Sequence, residues 1–158
     1  MPRAKQSAGL LPYRITSGEI EVFLVHPGGP LWAKKDAGAW SIAKGEFGDE
    51  EHAFDAAVRE FREETGIQVA GPFMALEPVR QPGGKVVYAW AVEADFDPAI
   101  IRGNTFSIEW PPRSGRQRQF SEVDRAAWFD LSTARTKLLK GQLPLLEQLV
   151  AMLSQRRA

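Results

Sequence analysis

Cysteine is absent from these 158 residues, which excludes disulfides and thiolate metal sites and says little by itself about compartment. A charge of one sign is missing too, because Lys plus Arg and Asp plus Glu number 20 each. No global field draws the chain towards nucleic acid or a membrane surface, so recognition has to be local. No apolar run approaches the ~20 residues of a membrane helix, and the basic start MPRAKQSAGLLPYR has an apolar stretch too short for a signal peptide. A cytoplasmic protein is expected, with neither a membrane nor a stable nucleic-acid partner. No repeat, low-complexity tract or linker divides the chain, whose length suits one domain over residues 1–158.

What is present is an alternation of strand and helix patterns. Residues 7–15 and 20–26, joined by Thr16-Ser17-Gly18-Glu19, read as a hairpin that ends at Pro27. The loop that follows carries Trp32, Lys34, Lys35 and Gly38, and Trp40-Ser41-Ile42 reads as a short strand. Its aromatic faces and ammonium groups suit a wall for a base and phosphates, while a core Trp40 with solvated lysines accounts for the same residues. Residues 73–81 and 85–94 flank Pro82-Gly83-Gly84, the strongest hairpin signal in the chain, and VVYAWAVEA is apolar enough for a strand covered on both faces.

Residues 95–105 are polar and irregular, 107–110 suit a short strand, and PPRSGRQRQ reads as a basic loop holding Arg113, Arg116 and Arg118. Such a loop could close over a polyphosphate or could be a solvated turn. A last strand is expected at 120–130 and a helix at 131–140 stopped by Gly141. Another helix, started by Pro144 at its first position, would face the core through Leu145, Leu146, Leu149, Val150 and Leu153. The order fits an α/β/α sandwich with a mixed β-sheet.

The chemistry points to residues 45–67, GEFGDEEHAFDAAVREFREETGI. A helix is expected over 50–65, capped by Asp49 and ended by an αL Gly66, with Phe54, Val58, Phe61 and Thr65 as its buried stripe. Glu60, Glu63 and Glu64 then share one side of its last turns. Each acid there opposes the helix dipole by about 0.3–1 kcal/mol, and like charges at i,i+4 add roughly 0.2–0.5 kcal/mol. A multivalent cation reverses the sign of both terms, and hard oxygen ligands suit Mg²⁺ or Mn²⁺. Ala53, Ala56 and Ala57 lie beneath the acids, where small side chains leave room for an ion and its ligand. A solvated face with Asp55/Arg59 and Arg59/Glu63 pairs is the plain alternative.

This stretch resembles the Nudix hydrolase box, Gly-x5-Glu-x7-Arg-Glu-U-x-Glu-Glu-x-Gly-U with U bulky and apolar. Gly45, Glu51, Arg59, Glu60, Phe61, Glu63, Glu64, Gly66 and Ile67 fill every specified position. The resemblance implies a Nudix-type α/β/α sandwich with a mixed sheet and metal-assisted hydrolysis of a phosphoric anhydride. The substrate would be a small-molecule nucleoside polyphosphate. The resemblance implies Glu60 and Glu64 as metal ligands and Glu63 as a ligand or the group that takes the proton of attacking water. It also implies a main-chain oxygen at Lys44 or Gly45, and Arg59 holding the acids with Glu51 as partner.

The family often recruits a further acid before a Trp-bearing strand. Glu122, six residues before Trp128, fits that place, with Glu109 and Asp124 as competitors. WSIAKGE is similar to the Trp-x-x-Pro-Lys-Gly entrance of hydrolases acting on dinucleoside polyphosphates and diphosphoinositol phosphates, although Ala43 stands where Pro is usual. Lys44 and Arg118 are the expected substrate cations. A non-catalytic nucleotide sensor on the same fold is the second reading, and a homodimer is left open. Diphosphate isomerase chemistry usually needs the missing cysteine. His26, at a strand end, suits a hydrogen-bonded structural residue better than a base, His52 is expected to be exposed in the first turn of the helix, and neither is assigned a role in the chemistry.

Overall fold

The computed structural model describes residues 5–157; residues 1–4 of the basic start lie outside them. Strands β1 (Gln6–Thr16) and β2 (Glu19–Pro27) form the expected hairpin. β1 is the axis of the sheet. Its second half pairs antiparallel with β2, its first half with β3 (Ala43–Glu46), and its other edge runs parallel to β6 (Val86–Glu93). β4 (Phe73–Ala75) and β5 (Val79–Arg80) both lie antiparallel to β6, and β9 (Val123–Asp130) lies antiparallel to β2. The result is a mixed seven-stranded sheet.

Successive side chains on a strand face opposite sides, and both sides here are covered. Ala8, Leu10, Phe23 and Val25 meet Ala56, Ala57 and Phe61 of α1 (Ala53–Thr65), whereas Leu11, Tyr13, Val22 and Leu24 meet Leu145, Leu146, Leu149 and Leu153 of α3 (Leu143–Arg157). Burying each such leucine contributes roughly 1.5–3 kcal/mol, so the α3 stripe holds its layer to the sheet. Together these layers form the α/β/α sandwich. Among the described residues no helix is long and apolar enough to cross a membrane.

Several boundaries differ from the sequence pattern. α1 starts at Ala53 with His52 as its cap residue, not at 50 with Asp49, because the preceding turn brings Glu51 back onto Arg59. Gly66 does end α1, at φ 76° with its N–H on the Arg62 carbonyl. The strand before the helix is Ala43–Glu46; Trp40 and Ser41 make only isolated bridges.

PPRSGRQRQ is not a free loop. Thr105–Glu109 (β7) and Gln117–Ser121 (β8) pair as a two-stranded ribbon with Phe106 opposite Phe120 and Ile108 opposite Arg118. The expected last strand is thereby divided between β8 and β9. α2 (Leu131–Lys137) stops short of Gly141, since Leu138 turns extended, bridges Trp40 and is buried.

Candidate active site

The helix carrying the acids sits close to the sheet because its inner face is small. Ala56 and Ala57 are fully buried against Ala8 and Ala43, so they leave no void under the acids as the sequence suggested. They bring the helix down onto β1 and β3. The closeness explains the glycine at the end of β3: a Cβ on Gly45 would stand 2.0 Å from Glu60 Oε2. Only a residue without a side chain leaves the Glu60 carboxylate its place.

Arg59 gathers the outer acids. Its Nε and Nη2 donate to the two Glu51 oxygens at 2.8 Å each, and its Nη1 donates to Glu60 at 2.9 Å and Glu63 at 3.0 Å. The bonds to Glu51 raise the guanidinium's affinity for its proton and hold the Glu51 carboxyl below its usual range. Asp55 is not a partner in this cluster of ion pairs. Arg59 fixes the positions of the Glu60 and Glu63 carboxylates and offers no oxygen of its own; if the acids hold Mg²⁺ or Mn²⁺, Arg59→Ala is expected to weaken that affinity about ten- to a hundredfold. Calorimetric titration checks this, and an unchanged affinity would reduce the cluster to surface pairing.

The inner acids face a cleft of about 210 Å³ where Lys44, Glu64, Glu122 and Trp32 meet. Glu64 accepts the Lys44 main-chain N–H, yet burial and the charges of Glu122 and Glu60 push its carboxyl up to about 8. Burial also raises Glu60, against the pull of Arg59. The Lys44 ammonium is held below its ordinary pKa by burial and by Lys85, partly offset by Glu64.

Glu122 reaches this cleft through an irregularity in the sheet. The β2–β9 register slips between His26 and Pro27, so that Pro27 pairs with Val123 and Asp124 is left as the extra residue. Pro27 has no N–H to extend the ladder. The Gly28 N–H then donates to the Glu122 carbonyl at 2.8 Å and ties the residue to the cleft wall.

The NUDIX domain family model matches residues 6–149. The chain belongs to the Nudix family. Among solved structures, a C. elegans Ap4A hydrolase binary complex aligns over 96% of this chain and 99% of its own, with a TM-score of 0.65 at 20% identity. The NUDIX domain of Shewanella oneidensis NrtR, complexed with ADP ribose, aligns over 97% and 90% with a TM-score of 0.65 at 18% identity. A MutT structure from a study of Aliivibrio salmonicida and Vibrio cholerae aligns over 93% and 96% with a TM-score of 0.56 at 18% identity. At these identities the likeness speaks for the Nudix fold. No curated relative matches the sequence.

Nudix chemistry asks for a divalent cation, and the donor set tests well against one. Half-buried carboxyls raised by burial and by neighbouring acids (Glu64 by Glu122 and Glu60; Glu60 by Glu63 and Glu122), and the recess that Gly45 leaves for Glu60, suit a hard ion with oxygen ligands. The acids do not form a closed cage, however. Among the described residues no three His, Asp or Glu side chains converge on one point. Like charges spread apart, and Arg59 draws Glu60 and Glu63 to itself.

Arg118 does not line this Nudix cleft. It lies exposed on β8 with its guanidinium 5.4 Å from the Phe120 ring centre, since its loop is a paired ribbon. The two competitors of Glu122 are engaged elsewhere: Glu109 accepts the Arg113 N–H, and Asp124 Oδ1 lies 2.7 Å from His26 Nδ1. Of the two loop tryptophans, Trp40 is core at 4% exposure and only Trp32 borders the cleft.

His26 is the hydrogen-bonded structural residue that its place at a strand end suggests, and the structure supplies the partners. The ring is fully buried, with Nδ1 2.7 Å from Asp124 and Nε2 2.6 Å from the Lys35 carbonyl, so it binds the Trp32 loop to β9. Nothing near His26 in sequence announces a partner 98 residues away.

Proposed function

We propose that this Nudix chain, a single domain of the cytoplasm, is a Mg²⁺- or Mn²⁺-dependent pyrophosphohydrolase of a nucleoside polyphosphate or related nucleoside diphosphate derivative. The observation that carries the reading is the meeting of Glu64, Glu122 and Lys44 in one cleft behind the Arg59 cluster. A diphosphate brought alone to these carboxylates would be repelled.

Glu60, Glu64 and Glu63, with a main-chain oxygen at Lys44 or Gly45, would hold the metal. When bound, the metal offsets the negative charge of acids and phosphate and makes water a better nucleophile. Lys44 extends a cation towards a phosphate oxygen. Glu122 takes the proton of the attacking water, with Glu63 as the other base. The water oxygen bonds to phosphorus while the bridging P–O bond breaks, and the anhydride oxygen leaves with its electron pair on the departing phosphate. Glu51 and Arg59 touch no substrate in this scheme and keep the acids oriented.

A panel of NTPs, dinucleoside polyphosphates, nucleotide sugars and NADH with Mg²⁺ or Mn²⁺, scored for phosphate-containing products, tests the proposal. Cleavage of at least one class that stops with EDTA is the expected result. Micromolar binding without cleavage would replace the hydrolase with a nucleotide sensor.

A further inference from the structure

Glu122 and Trp32 come from separate segments of the chain and share one wall. Both border the acidic cleft, and with Pro27 both also border an apolar compartment of about 260 Å³ beside Phe106 and Ile108. Two stretches of irregular backbone therefore have to keep their relative places: the loop after β2 that carries Trp32, and the junction of β8 and β9 that carries Glu122.

The regular ladder stops short of both. Where β2 ends, Pro27 has no N–H to give β9, and the register slip leaves Asp124 as the extra residue. The Trp32 loop is bonded to itself by the Lys35 N–H on the Trp32 carbonyl at 2.9 Å. Beyond that, Asp36 accepts from Trp40 Nε1 at 2.7 Å and pairs with Lys137, which ties the far end of the loop to α2 and not to β9.

His26 closes this gap. Its buried ring lies at the last regular pair of β2, opposite Arg125, and packs edge-on against Trp40 at 5.3 Å between ring centres. A carbonyl oxygen only accepts, so the ring donates from Nε2 to Lys35 at 2.6 Å. Nδ1 meets Asp124 Oδ1 at 2.7 Å, and Arg125 Nε stands 3.7 Å from the same oxygen. One rigid ring thus joins the residue bonded to Trp32 with the residue two places after Glu122.

We propose that His26 is a positioning residue for the hydrolysis: its Asp124 contact fixes the turn that aims Glu122, and its Lys35 bond fixes the loop that sets Trp32 against the substrate. This rests on the hydrolase reading. The ring is fully buried and touches no substrate itself. The two arms have separate consequences. Displacing Glu122 misplaces the base relative to the attacking water and lowers kcat, since an error of about 1 Å in such a group costs up to about a hundredfold. Displacing Trp32 alters a wall that the substrate meets on binding and raises KM.

Amide side chains separate the arms. Asparagine puts its amide where Nδ1 stood and can meet Asp124 as donor or acceptor, whereas the longer glutamine puts its NH₂ where Nε2 stood, in reach of the Lys35 carbonyl. His26→Asn is expected to raise KM about fivefold with kcat little changed. His26→Gln is expected to lower kcat about tenfold or more with KM little changed. Both are measured with Mg²⁺ on the fastest wild-type substrate among NTPs, dinucleoside polyphosphates, nucleotide sugars and NADH. Asp124 is 35% exposed, so Asp124→Ala tests the same arm without opening the core if His26→Gln does not fold. The same kcat loss is expected of it, and wild-type kcat overturns the proposal.

Amide hydrogen exchange of the metal-free protein is read alongside. The Gly28 and Glu122 amides, which donate to the Glu122 and Asn104 carbonyls, should exchange about tenfold faster in His26→Gln only, and the Lys35 amide in His26→Asn only. A ring that merely fills the core would speed all three together in both variants and leave kcat and KM without a split, which overturns the proposal. A split in exchange without one in the rate constants overturns it too. If the wild type cleaves nothing in the panel, the hydrolase reading falls, and the exchange pattern decides the two arms by itself: a split supports them, and its absence overturns them.

Discussion

Glu64→Gln is expected to lower turnover about a thousandfold while making the metal-free protein more stable above neutral pH. The activity loss follows from removing an anionic ligand. The stabilisation of transferring oxygens by a metal amounts to several kcal/mol, and each 1.36 kcal/mol is a factor of ten. The stability gain has another origin. In the folded chain, burial and the nearby charges of Glu122 and Glu60 raise this carboxyl from an ordinary 4.5 to about 8.

Below pH about 4.5 the Glu64 carboxyl is protonated in both states, and its contribution does not change. Between about 4.5 and about 8 the unfolded chain has released a proton that the folded chain still holds, so this contribution to stability falls as pH rises. Glutamine cannot titrate, and the decline should flatten in the variant. Urea unfolding from pH 4 to 9 in EDTA measures both slopes. Parallel curves would show that Glu64 is not the strained acid, and near-normal kcat with Mg²⁺ would remove it from the site.

Glu122→Gln is expected to reduce kcat about 10²–10⁴-fold, the range for a positioned general base, with the fold unchanged. Its carboxylate lies where the acidic cleft meets the apolar compartment, and its charge raises both Glu64 and Glu60. Removing that charge should therefore bring the Glu64 carboxyl down from about 8, which NMR titration of the metal-free protein can follow. Wild-type rates would return the proton-accepting role to Glu63, which Arg59 holds at 3.0 Å on the outer side of the cluster. The two variants part on metal affinity, where Glu64→Gln should cost more because Glu64 is the proposed ligand.

The features readable in the chain were those with a short-range cause. Leu10 and Leu11 predict opposite faces of one strand, and they do pack into opposite layers. Glycine at position 66 predicts the left-handed stop of α1. Family membership was equally legible, because the spacing within residues 45–67 is itself the signature and the matching family model extends over residues 6–149. Where local pattern competed with a distant partner, the partner won. α1 gave up its first turn to the Glu51–Arg59 bonds, α2 ended early so that Leu138 could bridge Trp40, and the arginine loop became a ribbon.

The sequence by itself carried the motif that resembles the Nudix box and placed its acids together on one helix, since motif spacing, helix period and like-charge repulsion act between near neighbours. Tertiary structure decided which of those acids faces a cleft and what stands opposite it. Glu122 and Glu64 are 58 positions apart in the sequence, by their numbers, and share a wall only because the β2–β9 register slips by one residue at Pro27 and two alanines let α1 settle on the sheet. A register slip and a helix–sheet approach depend on pairings between distant segments, and no residue's near neighbours encode them.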